Sequence, residues 1–132
     1  MTLTGPGGAG KSRLALEIAA LTALERPVHL VGLAPVSDPE LVPVSIAHVL
    51  GVGLVPIRKQ GKLPYRTRSA SYELEYGQAT IEVHEDAFVT GDRVLIVDDV
   101  LATGGTVEAA AGLVSASGAS VVAVSVLMEL GF

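Results

Sequence analysis

The sequence predicts an α/β fold: a three-layer, Rossmann-like and mostly parallel sheet of about five strands, from which an antiparallel hairpin projects. The strongest observation is the apolar run 94–97, typical of a buried parallel strand, which is followed by two acids, two glycines and an alanine-rich helix pattern. A second is that strand and helix patterns alternate along most of the chain. A third is a pair of alternating segments around Tyr76 and Gly77, which predicts the hairpin between about residues 66 and 84.

The part of the chain before residue 53 is predicted to alternate strand and helix. Its elements are a strand at 2–4, a helix at 13–24, a strand at 28–33 and a helix at 39–50. Leu14, Ile18 and Leu21 fall on one face of the first helix, which predicts that this face is buried. Ser37 or Asp38 would cap the second helix.

The second part continues this alternation around the hairpin. Its elements are strands at 53–57, 71–75, 80–84, 94–97 and 120–128, and a helix at 107–114. Residues 58–64, here named the basic loop, carry three basic side chains, and residues 64–71 are predicted to be mobile. Because parallel strands end at a common edge, where open α/β sheets bind ligands, we expect the site there.

The totals favour one domain, residues 1–132, with a small-molecule ligand. The chain is 49% hydrophobic, which is ample for a core, and has a net charge of −5. That charge argues against nucleic acid or an acidic membrane as a partner. The absence of cysteine excludes disulfides and thiolate metal sites. No signal peptide or membrane-spanning apolar run is visible, so we expect a cytoplasmic location.

Two acids and the turn after them form the first candidate site. The turn, here named the glycine turn, comprises Ala102, Thr103, Gly104, Gly105 and Thr106. Its glycines let the backbone curl around an anion, and its amides open a helix, so N–H donors and the positive helix end point to one place. Asp98 and Asp99 would accept hydrogen bonds from ribose hydroxyls or hold a divalent metal. A phosphate next to a sugar diol fits this arrangement; the alternative is a strand–turn–helix that merely ends in acids.

The N-terminal segment contains a second candidate anion site. Residues 5–12 match the phosphate-binding pattern G-x-x-x-x-G-K-[ST], and its candidate ligand residues are Gly5, Gly8, Gly10, Lys11 and Ser12. Lys11 would reach the β- and γ-phosphates of a nucleotide, and Ser12 would bind Mg²⁺. The predicted strand and helix on either side are the context that this motif needs. The alternative is a chance match to a short pattern.

The segment VLIVDDVLATGGT at 94–106 resembles the signature of type I phosphoribosyltransferases, which bind phosphoribosyl pyrophosphate (PRPP). Segments at 53–64, 72–77, 83–106 and 121–130 resemble adenine phosphoribosyltransferases in the same order. This resemblance implies transfer of a phosphoribosyl group to a purine, with Mg²⁺ accompanying PRPP and pyrophosphate released.

The same resemblance implies roles for individual residues. Glu75 matches the glutamate of the family's LEYG motif at the catalytic centre. The predicted catalytic set is Glu75, Asp98 and Asp99. Arg58, Lys59 and Lys62 of the basic loop would supply positive charge toward the pyrophosphate. The alternatives are a strand-edge carboxylate and a solvated basic loop.

The first part of the chain has a different resemblance. LTGPGGAGKSRLALEIAA and the following VHLVGLAPVSDPELVPVSIAHVLGV resemble the start of the ATPase domain of bacterial signal-transduction regulators of the STAND class. We therefore interpret the chain as a chimera of a P-loop-type half at 1–52 and a phosphoribosyltransferase-type half at 53–132. An engineered recombinant is favoured over a natural one. The alternative is one unbroken natural family.

The resemblance also indicates what is missing. Where adenine phosphoribosyltransferases have a Glu-Ala-Arg-Gly-type pyrophosphate loop, residues 32–37 contain neither arginine nor acid. The family's N-terminal hood over adenine and its later Gly-Arg segment have no counterpart, so we expect no base site and little or no turnover. As a weaker alternative, residues 94–99 fit a Walker B pattern, and Asp98 or Asp99 would then share Mg²⁺ with Ser12.

The leading hypothesis is a phosphoribosyltransferase-derived domain that binds PRPP, phosphate or a small-molecule nucleotide together with Mg²⁺. An ATP- or GTP-binding P-loop module is the rival, and a folded recombinant without any ligand is the third. A homodimer is compatible with each of them. The three histidines share no metal-ligand spacing and receive no role.

Overall fold

The computed structural model describes residues 6–8, 10–74 and 77–131. The chain divides into two compact units, Met1–Leu54 and Val55–Phe132. The predicted strand at 2–4 lies outside the described residues. No helix in the described part of the chain is long and apolar enough to cross a membrane.

The first unit contains the two predicted helices. Helix α1 spans Lys11–Thr22, and α2 spans Val42–Leu50 after a single 3-10 turn at Pro39–Leu41. The capping prediction is confirmed for Asp38, whose carboxylate accepts the backbone N–H of Glu40 at 2.9 Å. An acceptor at this position satisfies one of the N–H groups that a helix start leaves unpaired.

The predicted burial in this unit is wrong in two places. Residues 27–33 contain no strand, and Leu30 is 64% exposed. An apolar run becomes a strand only when another strand pairs with it, and its own pattern does not supply that partner. Helix α1 buries no residue, so the predicted apolar face with Leu14 and Leu21 is exposed.

The second unit is a β–α–β unit beside an antiparallel sheet. Its elements are β1 (Arg58–Lys59), β2 (Thr67–Leu74), β3 (Gly77–His84), β4 (Arg93–Leu101), α3 (Gly105–Ala116) and β5 (Ser120–Glu129). The antiparallel sheet has the order β1-β3-β2, whereas β4 and β5 pair in parallel with α3 as their connection. The α/β class, the parallel pairing and the projecting hairpin are therefore confirmed.

Two boundaries in this unit differ from the predictions. The strand expected at 53–57 is absent, and only Arg58–Lys59 pairs with β3. Pro56 lies in that run and has no N–H to donate to a ladder. Strand β2 begins at Thr67, opposite His84, so residues 67–71 belong to the sheet rather than to a mobile segment.

The core of this unit lies between α3 and the two sheets. Helix α3 contacts β2, β3, β4 and β5. Its small side chains let the helix approach closely. The buried cluster consists of Ile81, Val83, Ile96, Ala109, Ala110 and Leu113. Burial of one valine or leucine side chain stabilises a fold by about 1.5–3 kcal/mol, so a core this small depends on each of its members.

The ladder between β4 and β5 contains one irregularity. Val94 pairs with Val121, but Leu95 pairs with Ala123, so Val122 is an extra residue on β5. This is the two-against-one arrangement of a β-bulge.

Candidate functional site

The glycine turn lies where β4 passes into α3. Residues 102–104 form a bend, and α3 begins at Gly105. Gly104 is the N-cap and has a φ of 85°, a left-handed conformation that favours glycine. The carbonyl of Gly104 accepts the first helical hydrogen bond, from Glu108 at 2.9 Å. The next amides of the helix start have no intrahelical partner, which is the arrangement that binds anions.

The two acids lie inside β4 rather than after its end. The prediction that the strand stops at residue 97 is wrong because β5 continues alongside, so that Asp98 is paired with Val126 and Val100 with Met128. Successive residues of a strand point to opposite faces. Asp98 is half-buried and shares the face of Ile96, which packs against α3, whereas Asp99 is exposed on the other face. The two carboxylates are therefore not equivalent.

Strand β2 of the hairpin lies directly against the start of α3. The Thr106 hydroxyl donates a hydrogen bond of 3.0 Å to the Tyr72 hydroxyl oxygen. A Cβ added at Gly105 would lie 3.0 Å from Tyr72 Cδ2 and 3.3 Å from the carbonyl oxygen of Glu73. Glycine at position 105 is thus needed for close approach of the hairpin, whereas Gly104 is needed for its backbone conformation.

The basic loop begins at β1, on the edge of the antiparallel sheet opposite to β2. Arg58 and Lys59 form β1, and Lys62 follows in a turn closed by its backbone N–H to the carbonyl of Lys59 at 3.2 Å. All three side chains are exposed. They are free to meet an anionic ligand, as the sequence predicted for this loop, while the role itself stays a prediction.

Glu82, which the sequence motifs did not single out, holds the basic loop in place. This side chain is only 4% exposed. Its carboxylate accepts the backbone N–H groups of Lys62 at 3.1 Å and Leu63 at 3.0 Å, and the hydroxyl of Thr67 at 3.2 Å. The hydrogen bond from Leu63 is the largest of the effects that hold the pKa of Glu82 below its ordinary value. A charged residue between Ile81 and Val83, both apolar, was the signal that could have revealed it.

The N-terminal candidate site forms a turn at the start of α1. Gly8 and Gly10 have left-handed φ values of 76° and 75°, and Gly10 is the helix N-cap. Lys11 Nζ donates to the carbonyl of Pro6 at 2.6 Å, and Ser12 is exposed. Ser12 and the acids of β4 belong to different units, so a shared Mg²⁺ between them stays a prediction. Gly5 and Glu75, the remaining candidates, lie outside the described residues.

A metal would rely on few protein ligands. Among residues 6–8, 10–74 and 77–131, no group of three or more His, Cys, Asp or Glu side chains could hold a metal ion. Mg²⁺ usually takes one or two carboxylates and completes its shell with substrate phosphates and water. Asp98 and Asp99 lie on opposite faces of β4, so only one of them would give a carboxylate to an ion that arrives with its phosphate ligand, and the pair does not fit a resident ion.

Comparison with known proteins covers almost all of these elements. The phosphoribosyl transferase domain family matches residues 13–131. The adenine phosphoribosyltransferase of Symbiobacterium thermophilum is 50% identical over 116 residues, which are 85% of this chain and 68% of that protein. The chain belongs to the adenine phosphoribosyltransferase family. The predicted phosphoribosyltransferase identity is confirmed.

Other relatives in the adenine phosphoribosyltransferase family show how much of such a protein this chain represents. The enzyme of Frankia casuarinae is 66% identical over 92 residues, which are 70% of this chain and 49% of that protein. The chain thus spans about half the length of this relative and of the enzyme of Salinispora tropica.

Solved adenine phosphoribosyltransferases have the same fold. The structure from Rhodothermus marinus has 39% identity and a TM-score of 0.62, and the alignment covers 94% of this chain and 82% of that one. The structure from Saccharomyces cerevisiae, in complex with adenine and an imino-altritol bisphosphate, has 39% identity and a TM-score of 0.64, with 96% and 72% covered. The protein from Trypanosoma brucei, in complex with AMP, pyrophosphate and ribose-5-phosphate, has 35% identity and a TM-score of 0.61, with 72% and 42% covered.

These matches bear on the predicted junction between the halves 1–52 and 53–132. The family match at 13–131 extends across that junction, so it gives no support to a change of family there. None of the relatives named above is described as a P-loop ATPase. The STAND resemblance and an engineered origin stay predictions.

Proposed function

We propose that this chain binds the 5′-phosphate of PRPP, or of the nucleoside monophosphate, on the glycine turn. The observation that carries the proposal is the left-handed Gly104, which starts α3 immediately after β4 and leaves helix amides for an anion. Asp98, or Asp99 from the other face of β4, then accepts hydrogen bonds from the ribose hydroxyls. The ligands of the Trypanosoma brucei protein, AMP, pyrophosphate and ribose-5-phosphate, belong to the same chemical class.

The reaction that fits this site is transfer of the phosphoribosyl group from PRPP to adenine. The basic loop with Arg58, Lys59 and Lys62 faces the pyrophosphate and stabilises the charge that develops as it leaves. Glu75 takes the catalytic position that its match to the LEYG motif implies. Mg²⁺ that accompanies PRPP supplies further positive charge at the pyrophosphate.

Turnover by this 132-residue chain is proposed to be low. The family's pyrophosphate loop corresponds to residues 32–37, which offer neither arginine nor acid. The leaving group would then rely on the basic loop and the metal alone. This chain therefore keeps the ability to bind PRPP although its turnover is low, because the glycine turn and the acids of β4 are retained.

Titration calorimetry with PRPP, AMP and ATP in the presence of Mg²⁺ tests the proposal. We expect PRPP and AMP to bind the parent, and their affinity to fall in Asp98→Asn but not in Lys11→Ala. Binding of none of the three ligands would support the ligand-free alternative. Loss of PRPP binding in Lys11→Ala with no effect of Asp98→Asn would place the phosphate at the N-terminal turn and contradict the proposal.

A second candidate function is nucleotide binding at the N-terminal turn. Gly8 and Gly10 adopt left-handed conformations, which are typical of turns that bind a phosphate through backbone amides, and this favours the candidate. Lys11 would exchange its hydrogen bond with the Pro6 carbonyl for the β- and γ-phosphates of ATP or GTP. In the same titrations, ATP affinity that depends on Lys11 and is indifferent to Asp98 would establish it.

A further inference from the structure

The contact between β2 and the start of α3 joins two hydroxyl groups from distant parts of the chain. Tyr72 and Thr106 are 34 residues apart, and the Thr106 hydroxyl donates to the Tyr72 oxygen at 3.0 Å. The Tyr72 ring also lies beside Gly105, since a Cβ there would meet its Cδ2 at 3.0 Å. One side chain thus touches two successive residues of the glycine turn.

Tyr72 itself is held by the sheet and the core. It pairs with Ala79 in the hairpin, and its half-buried side chain packs against the buried cluster that includes Ile81 and Leu113. The position of the phenol oxygen is therefore set by the hairpin and not by the turn. Thr106, by contrast, belongs to the first turn of α3, where a hydroxyl is within reach of a bound anion.

The hydroxyl of Thr106 can donate to a phosphate only if the hydrogen bond between Thr106 and Tyr72 changes direction. Each has one hydrogen and can also accept. While Thr106 donates to Tyr72, its hydrogen is not available to a phosphate oxygen. When a phosphate accepts that hydrogen, the phenol hydrogen can rotate and donate to Thr106 Oγ1, so that both groups stay satisfied.

We propose that Tyr72 is a positioning residue for phosphate binding, which orients the Thr106 hydroxyl toward the anion and reverses the hydrogen bond between them when the anion arrives. This inference rests on the proposed function and adds a residue that does not touch the ligand. In the sequence, Tyr72 lies three residues before Glu75, the proposed catalytic glutamate.

A double-mutant cycle tests the inference. The variants are Tyr72→Phe, Thr106→Val and the two combined, with Tyr65→Phe as the matched control, because Tyr65 is 76% exposed and outside the site. The probes are ribose 5-phosphate and pyrophosphate, titrated by calorimetry with the folded state of each variant checked by thermal unfolding. Tyr72→Phe keeps the ring that packs beside Gly105 and removes only the hydroxyl.

We expect Tyr72→Phe to weaken ribose 5-phosphate binding by about three- to tenfold, the usual worth of one hydrogen bond. Thr106→Val should lose at least as much, and the double variant should lose no more than Thr106→Val alone. Pyrophosphate affinity and the Tyr65→Phe control should match the parent. Thr106→Ser, which keeps the hydroxyl, should bind like the parent and would show that the loss in Thr106→Val comes from the hydroxyl and not from the change of shape.

Three results would overturn the inference: parent-like binding by Tyr72→Phe, additive losses in the double variant, or an equal loss for both probes. If the parent and Tyr72→Phe bind ribose 5-phosphate equally well, only this inference is refuted. A parent that binds neither probe refutes the proposed function as well. A purely structural role would lower the unfolding midpoint and leave the affinity of the folded protein unchanged.

Discussion

The carboxylate of Glu82 accepts the backbone N–H of Leu63 at 3.0 Å, and this contact ties β3 to the basic loop across 19 residues of sequence. The same oxygen accepts from Lys62, so the loop follows one path over the sheet edge. A carboxylate with several N–H donors keeps its charge and its position. The loop proposed to face the pyrophosphate is therefore organised before any ligand binds.

Replacing Glu82 should loosen the basic loop. We expect Glu82→Ala to lower both the thermal unfolding midpoint and the affinity for pyrophosphate, with a smaller loss for Glu82→Gln, because the amide retains one acceptor oxygen for the loop N–H groups. The measurements are thermal unfolding and calorimetric titration with pyrophosphate and Mg²⁺. Glu85→Gln is the control, because it removes the same charge from an exposed position. Equal effects of the Glu82 and Glu85 variants would show that net charge matters and the loop contact does not.

The stabilisation from Glu82 should depend on pH in one direction. Its pKa in the folded protein lies below the ordinary value of 4.5, so the contribution is fully present above the unfolded pKa and is lost as pH falls through the folded pKa. We expect the midpoint difference between parent and Glu82→Gln to be constant at pH values well above 4.5 and to shrink as the pH falls below 4.5. Thermal unfolding across this range measures it. A difference that grows on acidification would have the wrong sign for a carboxylate held in its charged form.

Gly104 should tolerate no side chain if the turn is to bind phosphate. Its φ of 85° strains any L-residue by on the order of 1 kcal/mol, although a Cβ there would meet no protein atom within 4 Å. The open space is the space proposed for the anion, so Gly104→Val should abolish binding of AMP and PRPP. Gly112→Ala is the control: it lies within α3 with nothing within 4 Å of the added Cβ. If Gly104→Val binds AMP as tightly as the parent, the phosphate lies elsewhere.

Replacing the two acids of β4 should reduce ligand affinity by different amounts. Asp98 shares the face of β4 that packs against α3, and α3 begins at the glycine turn, so we expect Asp98→Asn to weaken ribose 5-phosphate binding about tenfold or more and Asp99→Asn to weaken it less. Titration with 2-deoxyribose 5-phosphate identifies the cause. Removing the 2-hydroxyl should cost affinity in the parent and much less in the variant whose acid contacts it. A larger loss in Asp99→Asn would assign the ribose to the opposite face of the strand.

Turnover should be slight even where binding is retained. Near-attack positioning of two reactants can supply about 7–11 kcal/mol of a barrier, and residues 32–37 lack the charged groups that hold pyrophosphate in the family. AMP formation from adenine and PRPP with Mg²⁺ is the assay, with the Saccharomyces cerevisiae enzyme as positive control. We expect rates no higher than those of the combined Asp98→Asn and Asp99→Asn variant. Robust AMP formation that disappears in that variant would show that the missing groups are dispensable.

Local patterns in the sequence were enough to predict part of this fold. The hairpin, α3 and the glycine turn each depend on residues close to one another in the chain, and all three are where the sequence placed them. The asymmetry of Asp98 and Asp99 was not predictable, because it depends on β5 extending the ladder past them. The roles of Glu82 and Tyr72 were not predictable either, because their hydrogen-bond partners are 15 to 34 residues away in the sequence. The strand expected at 28–33 had the composition of a strand, but among the residues that the structure describes no strand pairs with it.

The extra residue on β5 decides which side chain lies beside Asp98. Val121 and Val126 are five apart, so in an unbroken strand they would point in opposite directions, yet both are half-buried on one side. The bulge at Val122 inverts the phase of everything after it, and Val126 consequently lies opposite Asp98. If Val122 paired with Leu95 in a ladder without the bulge, Ser125 rather than Val126 would lie opposite Asp98, whereas deletion of Val122 would leave Val126 where it is. One extra residue near the start of β5 thus determines which side chain lies next to the proposed ribose site.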